Sequence, residues 1–213
     1  MAALACHRSS LIQGARLTAR PVPRRDRDRA AILARLRAMV LRAVVDESVD
    51  AAHWEAVEEA AELLQEEQRE EALVALRDVI KASPSNPYAY NLLGHALYDL
   101  GQLEPARDAY RAAVRLAPSF LGARVALSHA LRRLGDTDGA IAQAKEALRR
   151  FPKDGEAMHA MGLAYAARGN RALARKHLQG FLDAGPEVEA AMEVRQILEM
   201  LGVGDDDEPL QFE

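Results

Sequence analysis

Six histidines, one cysteine and a scatter of acids and arginines are the residues of this 213-residue chain that could do chemistry, and the first question is whether any are spaced to do it. Ser128 and His129 put a hydroxyl beside a base, but consecutive residues on a helix point about 100° apart, so they do not make a nucleophile–base pair. No glycine-rich phosphate loop is present, and no histidines or cysteines fall at metal-ligand spacing. Cys6 stands alone, so there is no intramolecular disulfide framework and no demand for an oxidising compartment. Neither a catalytic residue nor a cofactor is expected. What stays in view is a set suited to recognition, namely Tyr88, Asn91, His95, Tyr98, His129, Arg132, Arg133 and His159, because aromatic area mixed with hydrogen-bond donors is the composition of binding surfaces. Whether these residues share a surface depends on the elements that carry them.

Those elements are helices arranged with a fixed period. Ala, Leu, Arg and Glu dominate while only 5% of residues are aromatic, which favours helix because these side chains lose little freedom in one. Pro84, Pro118, Pro152 and Pro186 are spaced 34 residues apart without an insertion. With each proline at place 32, the units are 53–86, 87–120, 121–154 and 155–188. Place 8 is then Ala60, Gly94, Ser128 and Gly162, and place 20 is Ala72, Ala106, Ala140 and Ala174. Small residues are needed where two helices cross at about 8–10 Å. Place 11 supplies a larger residue in Leu63, Leu97, Leu131 and Tyr165, and place 24 reads Leu76, Tyr110, Ala144 and Leu178. Gly101, Gly135 and Gly169 at place 15 suit a left-handed turn between helices, whereas repeat one has Glu67 there. Each proline at place 32 ends the second helix.

The pattern resembles the tetratricopeptide repeat family, most fully in repeat two through Tyr90, Leu93, Gly94, Leu97, Ala106, Tyr110, Ala113 and Pro118. The resemblance covers about two thirds of the chain and implies an all-α fold, a right-handed α-solenoid of antiparallel helical hairpins that binds another protein and is not an enzyme. It further implies that places 2, 5, 9 and 12 of each first helix line the inner groove. Those places are Tyr88, Asn91, His95 and Tyr98 in repeat two, and Gly122, Val125, His129 and Arg132 in repeat three with Arg133 at the edge. In repeat four they are Glu156, His159, Leu163 and Ala166. A peptide or helix of a partner is expected along them, with the arginines meeting acidic groups. Helices about 8–10 Å apart do not bring histidines to the roughly 2 Å that zinc requires, so no metal is expected. The clamp by which chaperone-tail binders of this family hold a terminal carboxylate is missing, since its places hold Asn91, His95, Ala126, Glu156 and Ala160.

The ends read differently from the array. After Pro186, the run Val188, Ala191, Met192, Val194, Arg195, Ile197, Leu198 and Leu201 predicts a capping helix, so the solenoid is expected over 53–201. Residues 1–29 form a basic leader, and 30–52 an amphipathic helix and link carrying Ile32, Leu33, Leu36, Met39, Val40 and Val44 among arginines. That helix is expected to fold back on the glutamates of repeat one; the rival reading is an anchor for a membrane-associated assembly or secretion factor. Residues 202–213 form an acidic tail expected to be disordered. Residues 1–42 carry +8 and the remainder −12, and an acidic body argues against nucleic acid as a partner. No apolar run is long enough to span a membrane. The expected location is the cytoplasm, or the mitochondrion if residues 1–25, which hold no acid, act as a presequence.

Overall fold

Four residues 34 apart turn the chain in the same way. Glu67 has φ 61°, Gly101 73°, Gly135 82° and Gly169 82°, each just past the end of a helix. Around Gly101, its N–H donates to the Tyr98 carbonyl at 3.0 Å and the Gln102 N–H to Leu97 at 2.8 Å; the same pair recurs at Gly135, Gly169 and Glu67. These bonds satisfy carbonyls that the helix end leaves without partners, and the left-handed residue reverses the chain. The second helix then begins two residues later in every repeat.

The computed structural model describes residues 47–202, which form ten helices, with no strand among the described residues. In chain order they are α1 (Glu47–Glu55), α2 (Glu58–Gln65), α3 (Arg69–Ala82), α4 (Pro87–Asp99), α5 (Leu103–Leu116), α6 (Leu121–Arg133), α7 (Thr137–Arg150), α8 (Gly155–Ala167), α9 (Arg171–Asp183) and α10 (Val188–Gly202). The leader 1–29, the helix expected over 30–45 and the tail beyond Gly202 lie outside the described residues.

Each helix packs chiefly on the next in sequence, and the first helices of successive hairpins also touch, α4 on α6 and α6 on α8. This is the connectivity of a stack of hairpins. Gly94, Ala106, Ala140, Gly162 and Ala174 are all buried at the crossings, as small residues there must be. In repeat three the Ser128 hydroxyl donates to the Ala140 carbonyl across the crossing at 2.9 Å. One apolar core runs from Leu73 through Tyr110, Leu131 and Ala147 to Ala164, and a second joins Leu163, Leu178 and Phe181 to Val194 and Leu201 of α10. Burying a Val or Leu contributes about 1.5–3 kcal/mol, so α10 seals the last repeat as a solenoid end requires.

Helix ends follow the prolines with one variation. Ser83, Ala117 and Phe151 are extended, with φ between −136° and −128°, because a following proline excludes the helical region. In repeat four, α9 stops earlier and Gly185 makes an extra left-handed turn at φ 71° before Pro186.

Two expectations need correction. The first helix of repeat one is not continuous: it breaks at Ala56 and Val57, and α1 begins before place 1, at Glu47. Place 8 to place 20 packing needs only the part from Glu58 onward, and α1 is freed to pack on α4 instead. In α10, Val188 and Met192 do not pack inward but are 69% and 54% exposed, because Ala191, Val194 and Leu201 already occupy the face turned to α8 and α9.

Candidate functional site

The first helices α4, α6 and α8 begin at residues 87, 121 and 155 and pack in succession, so equivalent places stand in register from one to the next. The N-termini of α4 and α8 are capped by side chains at place 34. Asn86 Oδ1 accepts from the N–H of Tyr88 at 2.9 Å and of Ala89 at 3.2 Å, and Asp154 Oδ1 accepts from Ala157 at 2.9 Å. Phe120 stands at that place in repeat two and caps through its position alone.

The predicted residues divide into two groups. Tyr88 is not presented to a groove: it is 2% exposed, its ring meets Trp54 edge-on at 6.0 Å and Phe120 at 5.3 Å, and its hydroxyl donates to Asp50. The broken first helix of repeat one explains this, since α1 swings onto α4 and covers place 2. Asn91, one turn on, is also buried at 5% exposure, and its Oδ1 has no hydrogen-bond partner. Trp54, at place 2 of repeat one, is likewise buried.

The remaining residues come together. The Arg133 guanidinium lies 5.3 Å from the Tyr98 ring centroid, a cation–π distance that joins repeat three to repeat two. The His129 and His159 rings are 5.8 Å apart, joining repeat three to repeat four, and His159 stacks on Phe181 at 4.8 Å. His95 meets Tyr110 edge-on at 5.3 Å. Arg132 is half-buried between these pairs, close enough to His129 and His159 to oppose their protonation.

Electrostatics in this strip are set by burial. The His129 imidazole is pushed down to about 3, first by burial and then by His159, Arg132 and His95. His159 is pushed down to about 4 by burial and by Arg132. Burial lowers His95 against the opposing pull of Asp99. Both His129 and His159 are therefore neutral near pH 7 and can donate or accept a hydrogen bond, while the fixed positive charge belongs to Arg132 and Arg133. Among the described residues, no three of the His, Cys, Asp and Glu side chains are grouped as a metal ion would need.

Sequence reasoning missed Asp50 and Phe120. Asp50 lies outside the periodic segment, and burial raises its carboxyl despite nearby His53. Phe120 sits at place 34, where Asn86 and Asp154 are polar, so no recurring apolar place marked it as the partner of Tyr88.

The tetratricopeptide repeat profile matches residues 57–119 and 125–189, more than half of the chain. The chain belongs to the tetratricopeptide repeat family. Its all-α solenoid is the fold that the repeat led one to expect. Three solved tetratricopeptide structures show the same architecture. MamA (41-end) from Desulfovibrio magneticus RS-1 superposes with a TM-score of 0.60 at 22% identity, over 68% of this chain and 80% of that one. TTC0263, a thermophilic TPR protein in Thermus thermophilus, gives 0.60 at 25% identity, over 70% and 80%. The first TPR of Spaghetti (RPAP3) bound to the HSP90 peptide SRMEEVD gives 0.52 at 20% identity, over 55% and 92%. No curated protein matches the chain. Tetratricopeptide proteins are in general non-enzymatic scaffolds that bind other proteins.

Proposed function

We propose that this tetratricopeptide protein is an adaptor that holds an acidic peptide or helix of a partner protein along the strip formed by Tyr98, His95, Arg132, Arg133, His129 and His159. The observation that carries the reading is the Arg133–Tyr98 pair beside Arg132. An arginine stacked on an aromatic ring keeps its outward N–H groups free of rotameric search, so a carboxylate meets a prepared donor fork. The neighbouring neutral histidines add donors and flat apolar area, the mixture found at the energetic centres of interfaces. The RPAP3 repeat with its bound HSP90 peptide is a precedent for an acidic ligand on this fold. This chain lacks the clamp residues, so the partner is read through internal acidic side chains rather than a terminal carboxylate.

Affinity capture with mass spectrometry on the full chain, repeated with Tyr98→Ala, Arg132→Ala and Arg133→Ala combined, tests the proposal. Loss of the captured partner in the triple variant is expected, with capture falling at least tenfold. Undiminished capture by a folded triple variant would sink it.

A further inference from the structure

We infer that the outer face of α10 is a seat for a basic amphipathic helix supplied by another protein. The repeat period places this helix. Continued by 34 residues, place 1 falls at residue 189, and α10 begins at Val188, so it stands in the array as a fifth first helix. Its inward face agrees: Ala191 and Val194, at places 3 and 6, are buried as Ala157 and Ala160 are in α8. Its outward face differs. In α8, Met158 at place 4 lies against the second helix of its own hairpin, its sulfur 2.8 Å from where a Cβ on Gly180 would stand. Met192 holds place 4 of α10, and no second helix follows it among the described residues.

What this leaves uncovered is apolar. Five large apolar side chains are exposed among the described residues; Val74 and Leu116 stand singly on α3 and α5, and the other three, Val188, Met192 and Met200, are all on α10. These three lie with Gln196 on one i, i+4 row, which spans about 18 Å and is the kind of ridge that packs into the groove of another helix. A helix apolar on both faces belongs inside a structure, and a solenoid end that meets only water has a polar outer face. Methionine suits a surface that receives a helix from elsewhere, because its unbranched thioether adapts to the neighbour it meets. Gln196 stands at place 8, where α4 and α8 have glycine, so the seat does not reproduce the close crossing within a hairpin.

Charge names the occupant. The charged residues of α10 are Glu189, Glu193, Arg195 and Glu199, all exposed, three acids against one base. Glutamates beside an apolar row favour a helix whose own apolar stripe is flanked by lysine or arginine. They disfavour a second copy, whose α10 would bring the same excess of acid. They equally disfavour the sequence beyond α10, where Asp205, Asp206, Asp207 and Glu208 are acidic again.

This face is separate from the Tyr98–His159 strip, so either reading can fail alone. The test offers the full chain a synthetic amphipathic helix of leucine and lysine, and its counterpart with glutamate in place of lysine. Calorimetry is expected to show the lysine helix binding about tenfold more tightly than the glutamate one, with amide hydrogen exchange in α10 slowed. Met192→Ser with Met200→Ser should weaken that binding about tenfold, whereas Met192→Leu with Met200→Leu should keep it, as should Tyr98→Ala with Arg133→Ala. Glu189→Lys with Glu193→Lys should reverse the preference between the two peptides. Equal affinity for both peptides overturns the inference, as does binding that the serine variant retains or a preference that the lysine variant does not reverse. So does a dimer in sedimentation that the serine variant dissociates, since a second copy would then cover the face.

Discussion

The Tyr110 ring fills the space that a side chain on Gly94 would need: a Cβ added there would stand 2.5 Å from both Cδ1 and Cε1 of the ring. Gly162 is covered in the same way, with Leu178 Cγ and Cδ2 2.7 Å from the added atom. Repeat three tolerates Ser128 at this place because the residue opposite is Ala144 rather than a ring or a leucine. Places 8 and 24 are thus one packing unit, in which a large residue at place 24 requires a small one at place 8. Gly94→Ala is expected to destabilise the array by about 1–3 kcal/mol through overpacking, outweighing the roughly 1 kcal/mol that alanine gains in helix propensity. The double variant Gly94→Ser with Tyr110→Ala copies the repeat-three pair and should be less destabilised than the sum of its single changes. Urea denaturation followed by circular dichroism measures both, and a neutral or stabilising Gly94→Ala would count against the packing unit.

Glu67 occupies the left-handed turn that three glycines occupy elsewhere, with φ 61°. A side chain in this region costs roughly 1–2 kcal/mol from the clash of Cβ with the following carbonyl. The turn survives because its two hydrogen bonds, Glu67 to Leu64 and Gln68 to Leu63, match those of the other repeats. Glu67→Gly is expected to stabilise repeat one by about 1 kcal/mol. Gly135→Ala should lose a similar amount for the backbone reason alone, since nothing lies within 4 Å of a Cβ added there. Calorimetry should show the melting temperature moving up for the first and down for the second.

Most of the fold could be read from the chain because its determinants are local and repeat. Period, turn glycines, stop prolines and the small–large places each depend on residues within one hairpin, and they recur often enough to reinforce one another. The inner face was less legible. Tyr88 and Asn91 share a helical face with His95 and Tyr98, yet both are buried; α1 covers Tyr88 and is held by Asp50, which precedes the repeats, and by the His53 carbonyl, a main-chain group that no side-chain pattern marks. The break at Val57 that frees α1 has no proline or glycine to announce it. The Arg133–Tyr98 and His129–His159 pairs join different repeats, so their distances follow from the angle between hairpins, which no single unit encodes.

Asn86 is fully buried and uses both ends of its amide, capping α4 with Oδ1 and holding the His53 carbonyl with Nδ2. Removing it leaves two orphaned N–H groups and a half-buried carbonyl without this partner. Asn86→Ala is expected to cost about 2–4 kcal/mol, combining a lost cap of roughly 1 kcal/mol with unsatisfied buried groups. Asn86→Asp keeps the cap but replaces the donor facing His53 with an acceptor, so it should loosen α1 while sparing α4. Trp54 is the sole tryptophan and lies 6.0 Å from Tyr88, which makes its fluorescence a reporter on α1 alone. A red shift in Asn86→Asp below the global unfolding transition is the expected sign; an unchanged spectrum would mean that packing, and not this bond, holds α1.

The two adjoining histidines make stability fall with acid before the carboxylates do. In the unfolded chain their ordinary value is 6.5, whereas in the fold His129 protonates only near 3 and His159 near 4. The unfolded state therefore binds more protons between these limits, so the contribution is whole above pH 6.5 and is lost progressively as pH falls from there to the folded values. Burial is the first cause, and the positive Arg132 makes a charged imidazole at either position costlier still. His129→Gln removes one of the two titrations while keeping a hydrogen-bonding side chain of similar size. Its stability at pH 8 should lie near that of the parent, and its loss between pH 8 and pH 5 should be smaller. The measurement is the difference in melting temperature between those two pH values for parent and variant. Equal differences would show that the imidazole is not resisting protonation in the fold, and that the acid sensitivity belongs to the carboxylates.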